Sequence, residues 1–108
     1  MSSNLPKPIS SFFEAKNAHD VDRTLAAFAD DASVRDEGQD IAGLGAIRGW
    51  IDATTRKYHD IASPIGVRQE GEQTIVTARV SGIFPGSPVE LRYRFTIAGE
   101  KIAALAID

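Results

Sequence analysis

Phe28-Ala29-Asp30-Asp31-Ala32-Ser33-Val34-Arg35-Asp36-Glu37-Gly38 is the stretch on which the reading of this chain turns. It predicts the end of a helix, a stop at the paired acids Asp30 and Asp31, and a strand over residues 32–36. Acids are disfavoured at a helix C-terminus by the macrodipole, so the pair is expected to end the helix. In a strand, residues two apart face the same side, so Asp36 shares a face with the core-type Val34. A carboxylate aimed into an apolar interior is either paired or used. The pairing candidates are Arg35 and Arg79; the other readings are a general base or a ligand contact.

Upstream, residues 1–8 read as a flexible tail, because Pro6 and Pro8 interrupt regular structure. Residues 9–108 read as one domain. Pro8 suits the first turn of a helix, and Ile9, Phe12, Phe13 and Lys16 follow at helical spacing. Ser11 and Glu14 resemble a capping box. Asp20 is placed to cap a second helix with the apolar face Val21, Leu25 and Phe28. Downstream, Glu37-Gly38 breaks the strand, and residues 39–41 form a small second one. Glu37 is expected to face solvent unless a bulge at Gly38 turns it. Gly43 and Gly45 precede a third helix with the face Ile47, Trp50, Ile51, Thr54 and Tyr58. His59 and Asp60 close it, and Ser63-Pro64 marks the exit.

Beyond Pro64 the pattern has period two. Residues 65–70 and 74–84 flank a hairpin turn at Gly71-Glu72. A second turn at 84–88 leads into a long strand over 89–98. A third turn at 99–101 precedes a strand over 102–107. Val89, Leu91, Tyr93, Phe95 and Ile97 alternate with Glu90, Arg92, Arg94 and Thr96. Val76, Ala78 and Val80 form the matching inner set, with Thr77, Arg79 and Ser81 opposite. Three helices followed by an antiparallel meander predict an α+β fold. A curved sheet wrapped around helices leaves a conical cavity. Its expected wall is Phe12, Phe13, Phe28, Val34, Asp36, Trp50, Tyr58, Tyr93 and Phe95, mostly apolar with few polar groups.

Composition narrows the function classes. A chain of 108 residues with a formal charge of -3 is an ordinary single-domain length with mild acidity. Its basic residues are scattered, so no nucleic-acid footprint is expected. It has no cysteine, hence no disulfide frame and no thiolate chemistry. The expectation is a cytoplasmic protein without a signal peptide or membrane span. His19 and His59 each adjoin an Asp at a helix boundary, which favours capping over metal binding. The spacing of Gly43, Gly45 and Gly49 fits no nucleotide-binding loop, and no Ser-His arrangement suggests a nucleophilic triad.

Four pieces of the chain, Asn17-Ala-His-Asp20, residues 28–36, Gly43-Leu-Gly-Ala-Ile-Arg-Gly-Trp50 and the 92–95 hairpin strand, resemble the NTF2-like superfamily. Within it they resemble the SnoaL-like (polyketide-cyclase-like) and ketosteroid-isomerase-like proteins. The resemblance runs from about Ile9 to Asp108. It implies a cone of three N-terminal helices packed on a curved, mostly antiparallel sheet. It also implies a homodimer through the outer sheet face, where Thr77, Arg79, Ser81, Arg92, Arg94 and Thr96 stand and Glu90 could pair with an arginine. By resemblance, Asp36 occupies the place of the ketosteroid isomerase base. The oxyanion-hole Tyr of helix one falls on Phe12, which has no hydroxyl. The protonated Asp of the penultimate strand falls near Tyr93, which has one. Arg92 and Arg94 invite comparison with limonene-epoxide-hydrolase-like members, but the alternation puts them on the outer face.

The functional expectation is an apolar pocket for a small hydrophobic, cyclic or polyketide-like molecule. Asp36 and Tyr93 are the candidate catalytic residues of an isomerase, cyclase or lyase that abstracts a proton next to a carbonyl. Phe12, Phe13, Phe28, Val34, Trp50, Tyr58 and Phe95 are the expected lining. No metal and no cofactor are expected. The alternative is a small-molecule-binding or dimeric interaction module without catalysis.

Overall fold

A computed structural model describes residues 5–108. Regular structure begins inside the segment read as a tail, and Pro8 takes the first-turn place its sequence position suggests. Pro6 is the N-cap residue of α1 (Lys7–Asn17), and its carbonyl accepts from the N–H groups of Ile9 and Ser10, both at 3.0 Å. Pro8 lies in the first turn, where its missing N–H costs nothing. Lys7 and Pro8, assigned to the tail, therefore belong to the helix, and Met1 to Asn4 lie outside the described residues. Ser11 and Glu14 sit inside this helix and form no capping box. The expected cap of α2 (Val21–Leu25) is present: the Asp20 side chain accepts from Arg23 N–H at 3.1 Å.

The opening stretch differs from expectation in one respect. Helix α2 ends at Leu25, and β1 runs over Phe28–Asp36. Phe28 belongs to this strand and not to the helical face. Asp30 and Asp31 are strand residues, not a helix stop. Both are exposed, and the pairing with β6 shifts register between Phe28 and Ser33. The irregularity lets two successive acids face water while Phe28, Ala32 and Val34 remain buried. Glu37 and Gly38, both at positive φ, form the two-residue turn into β2 (Gln39–Ala42). Two left-handed residues match the twist of a tight hairpin.

Helix α3 (Leu44–Tyr58) buries Ile47 and Ile51 and leaves Trp50, Thr54 and Tyr58 half-buried beside them. Strands β3 (Ile61–Glu70), β4 (Gln73–Ser81), β5 (Val89–Ala98) and β6 (Lys101–Ile107) complete a six-stranded sheet of order β2-β1-β6-β5-β4-β3. All neighbouring pairs are antiparallel except β1 with β6. Pro64 lies within β3 rather than before it. The sheet tolerates it because β3 is an edge strand and its register shifts between Pro64 and Gly66. Strand β4 ends at Ser81, three residues earlier than its apolar pattern suggests.

This is the α+β architecture of an NTF2-like fold. The core packs Phe12, Phe13, Phe28, Tyr93 and Phe95 between α1 and the sheet. Phe12 makes edge-to-face contacts with Phe13 at 5.2 Å, Phe28 at 5.8 Å and Phe95 at 5.6 Å between ring centroids. No helix among the described residues is long and apolar enough to cross a membrane.

The end of β4 is held close to the end of α3. Ile83 N–H donates to the Tyr58 carbonyl at 2.7 Å, and a Cβ on Gly82 would lie 2.6 Å from the same oxygen. Gly82→Ala is therefore expected to lose about 1–3 kcal/mol, and thermal unfolding should show Tm lower by at least about 4 °C.

Candidate functional site

A cavity of about 430 Å³ opens between the helices and the inner face of the sheet. That volume is in the range that holds small organic molecules. Its depth is formed by buried Phe12, Thr24, Ile51, Val80 and Tyr93. Its rim carries exposed Glu37, Lys57 and Pro85. Strand β1 brings Asp36 to the wall, α3 brings Trp50 and Tyr58, and β5 brings Leu91 and Tyr93.

Asp36 is half-buried and is not paired with an arginine. Arg35 pairs with Asp40 at 2.7 Å on the surface, and Arg79 is exposed on the outer face. The partner of Asp36 is Trp50, whose indole N–H donates to Oδ2 at 2.9 Å. Trp50 and Asp36 are brought together because the third helix packs over the first strand. Burial raises the Asp36 pKa above its ordinary value of 3.8. The Trp50 hydrogen bond opposes the rise, while the charges of Glu37 and Asp60 add to it.

Tyr93 is 2% exposed. Among the described residues its hydroxyl has no hydrogen-bond partner, yet no walled-off side-chain atom lacks one. The O–H thus opens on the cavity that the residue lines. Burial raises its pKa, and the charges of Asp60 and Asp36 raise it further, so the group stays a phenol and a donor. Phe12 lines the cavity as well. Phe13, Phe28, Val34 and Phe95 are elsewhere: they are packed at 3% exposure or less in the core behind the wall. Their neighbours on the same helix and strands take the inner surface.

Several wall residues were not anticipated. Lys16 and Asp60 both line the cavity and form an ion pair at 2.6 Å, with side chains 15% and 14% exposed. Lys16 follows Phe12 by four positions, so helical spacing carried a signal for it. Asp60 is far from it in sequence and carried none. Glu37 accepts from the Tyr58 hydroxyl at 3.1 Å at the rim; it is exposed, has a left-handed backbone and lines the cavity mouth. Within the chain Glu90, the possible partner of an outer-face arginine, forms no ion pair among the described residues. Arg92 and Arg94 instead approach the Asp108 carboxylate at 3.8 and 3.4 Å. Among the described residues no group of three or more His, Cys, Asp or Glu could hold a metal ion.

Residues 9–105 match the SnoaL-like domain family. The chain belongs to the SnoaL-like family. A proposed polyketide cyclase from Sinorhizobium meliloti is similar at 40% identity, over 100% of this chain and 99% of that one, with a TM-score of 0.95. A Catenulispora acidiphila protein of ketosteroid isomerase-like fold, solved with trimethylamine, shares 18% identity over 97% and 86% of the two chains, at a TM-score of 0.84. A proposed polyketide cyclase from Xanthomonas campestris shares 18% identity over 94% and 86%, at 0.83. The last two likenesses bear on the fold alone. No curated protein matches the chain.

The raised pKa of Asp36 has a consequence for the stability of this SnoaL-like domain. Between the ordinary value and the folded value, the native state binds the proton and the unfolded chain does not. Stability contributed by this group therefore falls as pH rises through that window. Asp36→Asn removes the contribution. The variant should gain stability relative to the wild type as pH rises from 3.8 through the folded pKa, and the gain should level off above it. Denaturant midpoints of the two proteins across pH measure the difference.

Proposed function

We propose that this SnoaL-like protein takes a small hydrophobic, cyclic or polyketide-like carbonyl compound into the cavity and moves a proton on the carbon next to the carbonyl. Isomerisation and aldol cyclisation both begin with this step. One Asp36 carboxylate oxygen accepts the proton from carbon. The electron pair of the broken C–H bond shifts to the carbonyl oxygen, giving an enolate. The Tyr93 O–H hydrogen-bonds to that oxygen as its charge develops. Asp36 then returns the proton to another carbon, or the enolate carbon attacks a second carbonyl, whose π pair moves to its oxygen as an alkoxide that takes the proton back from Asp36. All parts of this scheme are side chains.

The observation that carries the reading is the half-buried Asp36 on the wall of an apolar cavity. It is held by Trp50, is paired with no arginine among the described residues, and is raised in pKa by burial. A general base works best with a pKa moved toward the working pH. Trp50 fixes the direction of the carboxylate, which preserves a defined approach to the substrate C–H. The unpartnered Tyr93 hydroxyl supplies the second function the reaction needs. The exposed arginines of the outer sheet face support a homodimer formed through that face as part of the same reading.

A second reading, a binding module without turnover, draws on one observation: Phe12 brings no hydroxyl to the place where the resembled isomerases hold a Tyr donor. The two readings separate on a panel of cyclic ketones and polyketide-like aromatics. Under the enzyme reading, Asp36→Asn lowers kcat by about 10²–10⁴-fold while ligand binding is retained. Tyr93→Phe lowers it by about a hundredfold. The wild-type kcat/KM rises with pH through the Asp36 pKa, because the base acts deprotonated. Unchanged turnover in Asp36→Asn removes the base role. Binding without turnover in the wild type favours the module.

A further inference from the structure

We infer that Lys16, held by Asp60, is an oxyanion-binding group of the cavity: its ammonium receives the negatively charged oxygen of the bound molecule. This rests on the proposal that the cavity takes a carbonyl compound, and it adds the cation that such a compound would meet. Lys16 projects from the last turn of α1 into the cavity, and its side chain is 15% exposed. An ammonium carries three N–H donors. Asp60 Oδ2 takes one at 2.6 Å. Among the described residues the ammonium has no other hydrogen-bond partner, so the remaining donors are left for what fills the cavity.

A structural role does not account for the pair. Its plain alternative is a tie between the end of α1 and the start of β3. That tie exists already. The Asn17 side-chain amide donates to the Ala62 carbonyl at 2.8 Å and its oxygen accepts from Ala62 N–H at 2.9 Å. His19 Nε2 lies 3.2 Å from the Asp60 carbonyl oxygen. Taking an ammonium and a carboxylate out of water is costly, and an apolar pair of similar volume would serve a tie equally well. A cation that is mostly buried, pre-positioned by one carboxylate and still holding unused donors is suited to a charge that appears only in the ligand.

The surroundings agree with this assignment. The Tyr93 hydroxyl opens on the same cavity without a partner and feels the charges of both Asp60 and Asp36. The cavity thus has a proton acceptor, Asp36, and two kinds of donor, Tyr93 and Lys16. A ligand oxygen that gains charge as Asp36 takes a proton has a phenol and an ammonium available to it. Asp60 keeps Lys16 in place and is a positioning residue. Removing it should leave the lysine charge in the cavity with one more donor free.

The test measures binding rather than turnover, so it stands apart from the base role of Asp36. The probes are 4-nitrophenolate, an aromatic oxyanion measured at a pH where it is ionised, and nitrobenzene, its neutral counterpart. Asp60→Asn and the double variant Lys16→Met with Asp60→Asn differ only in the lysine, and neither leaves a buried Asp60 carboxylate without its cation. The double variant should bind 4-nitrophenolate at least about tenfold more weakly than Asp60→Asn, as expected for loss of a charge-assisted hydrogen bond. Nitrobenzene affinity should change by less than about twofold on the same comparison. Adding Lys16→Arg to Asp60→Asn, which keeps the charge, should restore most of the phenolate affinity. Equal changes for the two probes, or no loss of phenolate binding, would overturn the assignment and leave the pair as a structural tie.

Discussion

The parallel pairing of β1 with β6 is the constraint on which the rest depends. It makes one continuous sheet of the β1–β2 hairpin and the strands β3 to β6. Val34 lies opposite Leu105 and Arg35 opposite Ala106, and the Ala27 carbonyl accepts from Ile102 N–H at 2.9 Å. Val34, Ile102 and Leu105 are all buried, so the register is fixed by apolar surface on one face. A shift of one residue would turn that face outward and carry Asp36 out of the cavity with it. The position of the candidate base is thus a consequence of packing at residues that have no chemical role.

The same sheet explains how polar groups survive in an apolar hollow. Burying a lone carboxylate is unfavourable, and Asp36 responds by a raised pKa and by one indole hydrogen bond. Lys16 and Asp60 respond by pairing. Among the described residues Tyr93 has no hydrogen-bond partner, and it faces the open volume. These three solutions lie on one cavity wall, so their fields overlap: Asp60 acts on Asp36, and both acids act on Tyr93. A ligand that brings an acidic C–H and an oxygen able to take negative charge would relieve all three.

Much of the fold was legible in local patterns. Period two located β5 at its observed bounds, and the Asp20 cap and the face of α3 followed from spacing. The misreadings share a physical cause. The stop assigned to Asp30 and Asp31 rested on helix electrostatics, but a register irregularity against β6 accommodates both acids in a strand. Pro64 was read as a break, whereas an edge position makes it tolerable. Both outcomes depend on strand order, which no local window contains. The site divides the same way. Asp36, Tyr93, Trp50, Tyr58 and Phe12 were visible as residue types at inward positions. Alternation alone could not tell which inward side chains face the cavity and which, like Phe13 and Phe95, fill the core behind it. Asp60 joins Lys16 across 44 residues of sequence, and only the folded chain brings them together.

Phe12 links the packing to the chemistry. Its ring is the hub of the aromatic cluster, touching Phe13, Phe28 and Phe95 edge-on and lying 6.3 Å from Tyr93. A hydroxyl there would be a polar atom at a residue only 1% exposed, within a tightly packed ring system. At Phe12 the helix brings only an apolar ring to the cavity wall. One turn on, at Lys16, the same face reaches the volume bounded by Asp60. The donor that Phe12 does not supply is therefore available from α1 by a different group at a different depth. A cation there brings full charge in place of a neutral O–H, and so favours ligands whose oxygen becomes strongly negative over those that only need a hydrogen-bond donor.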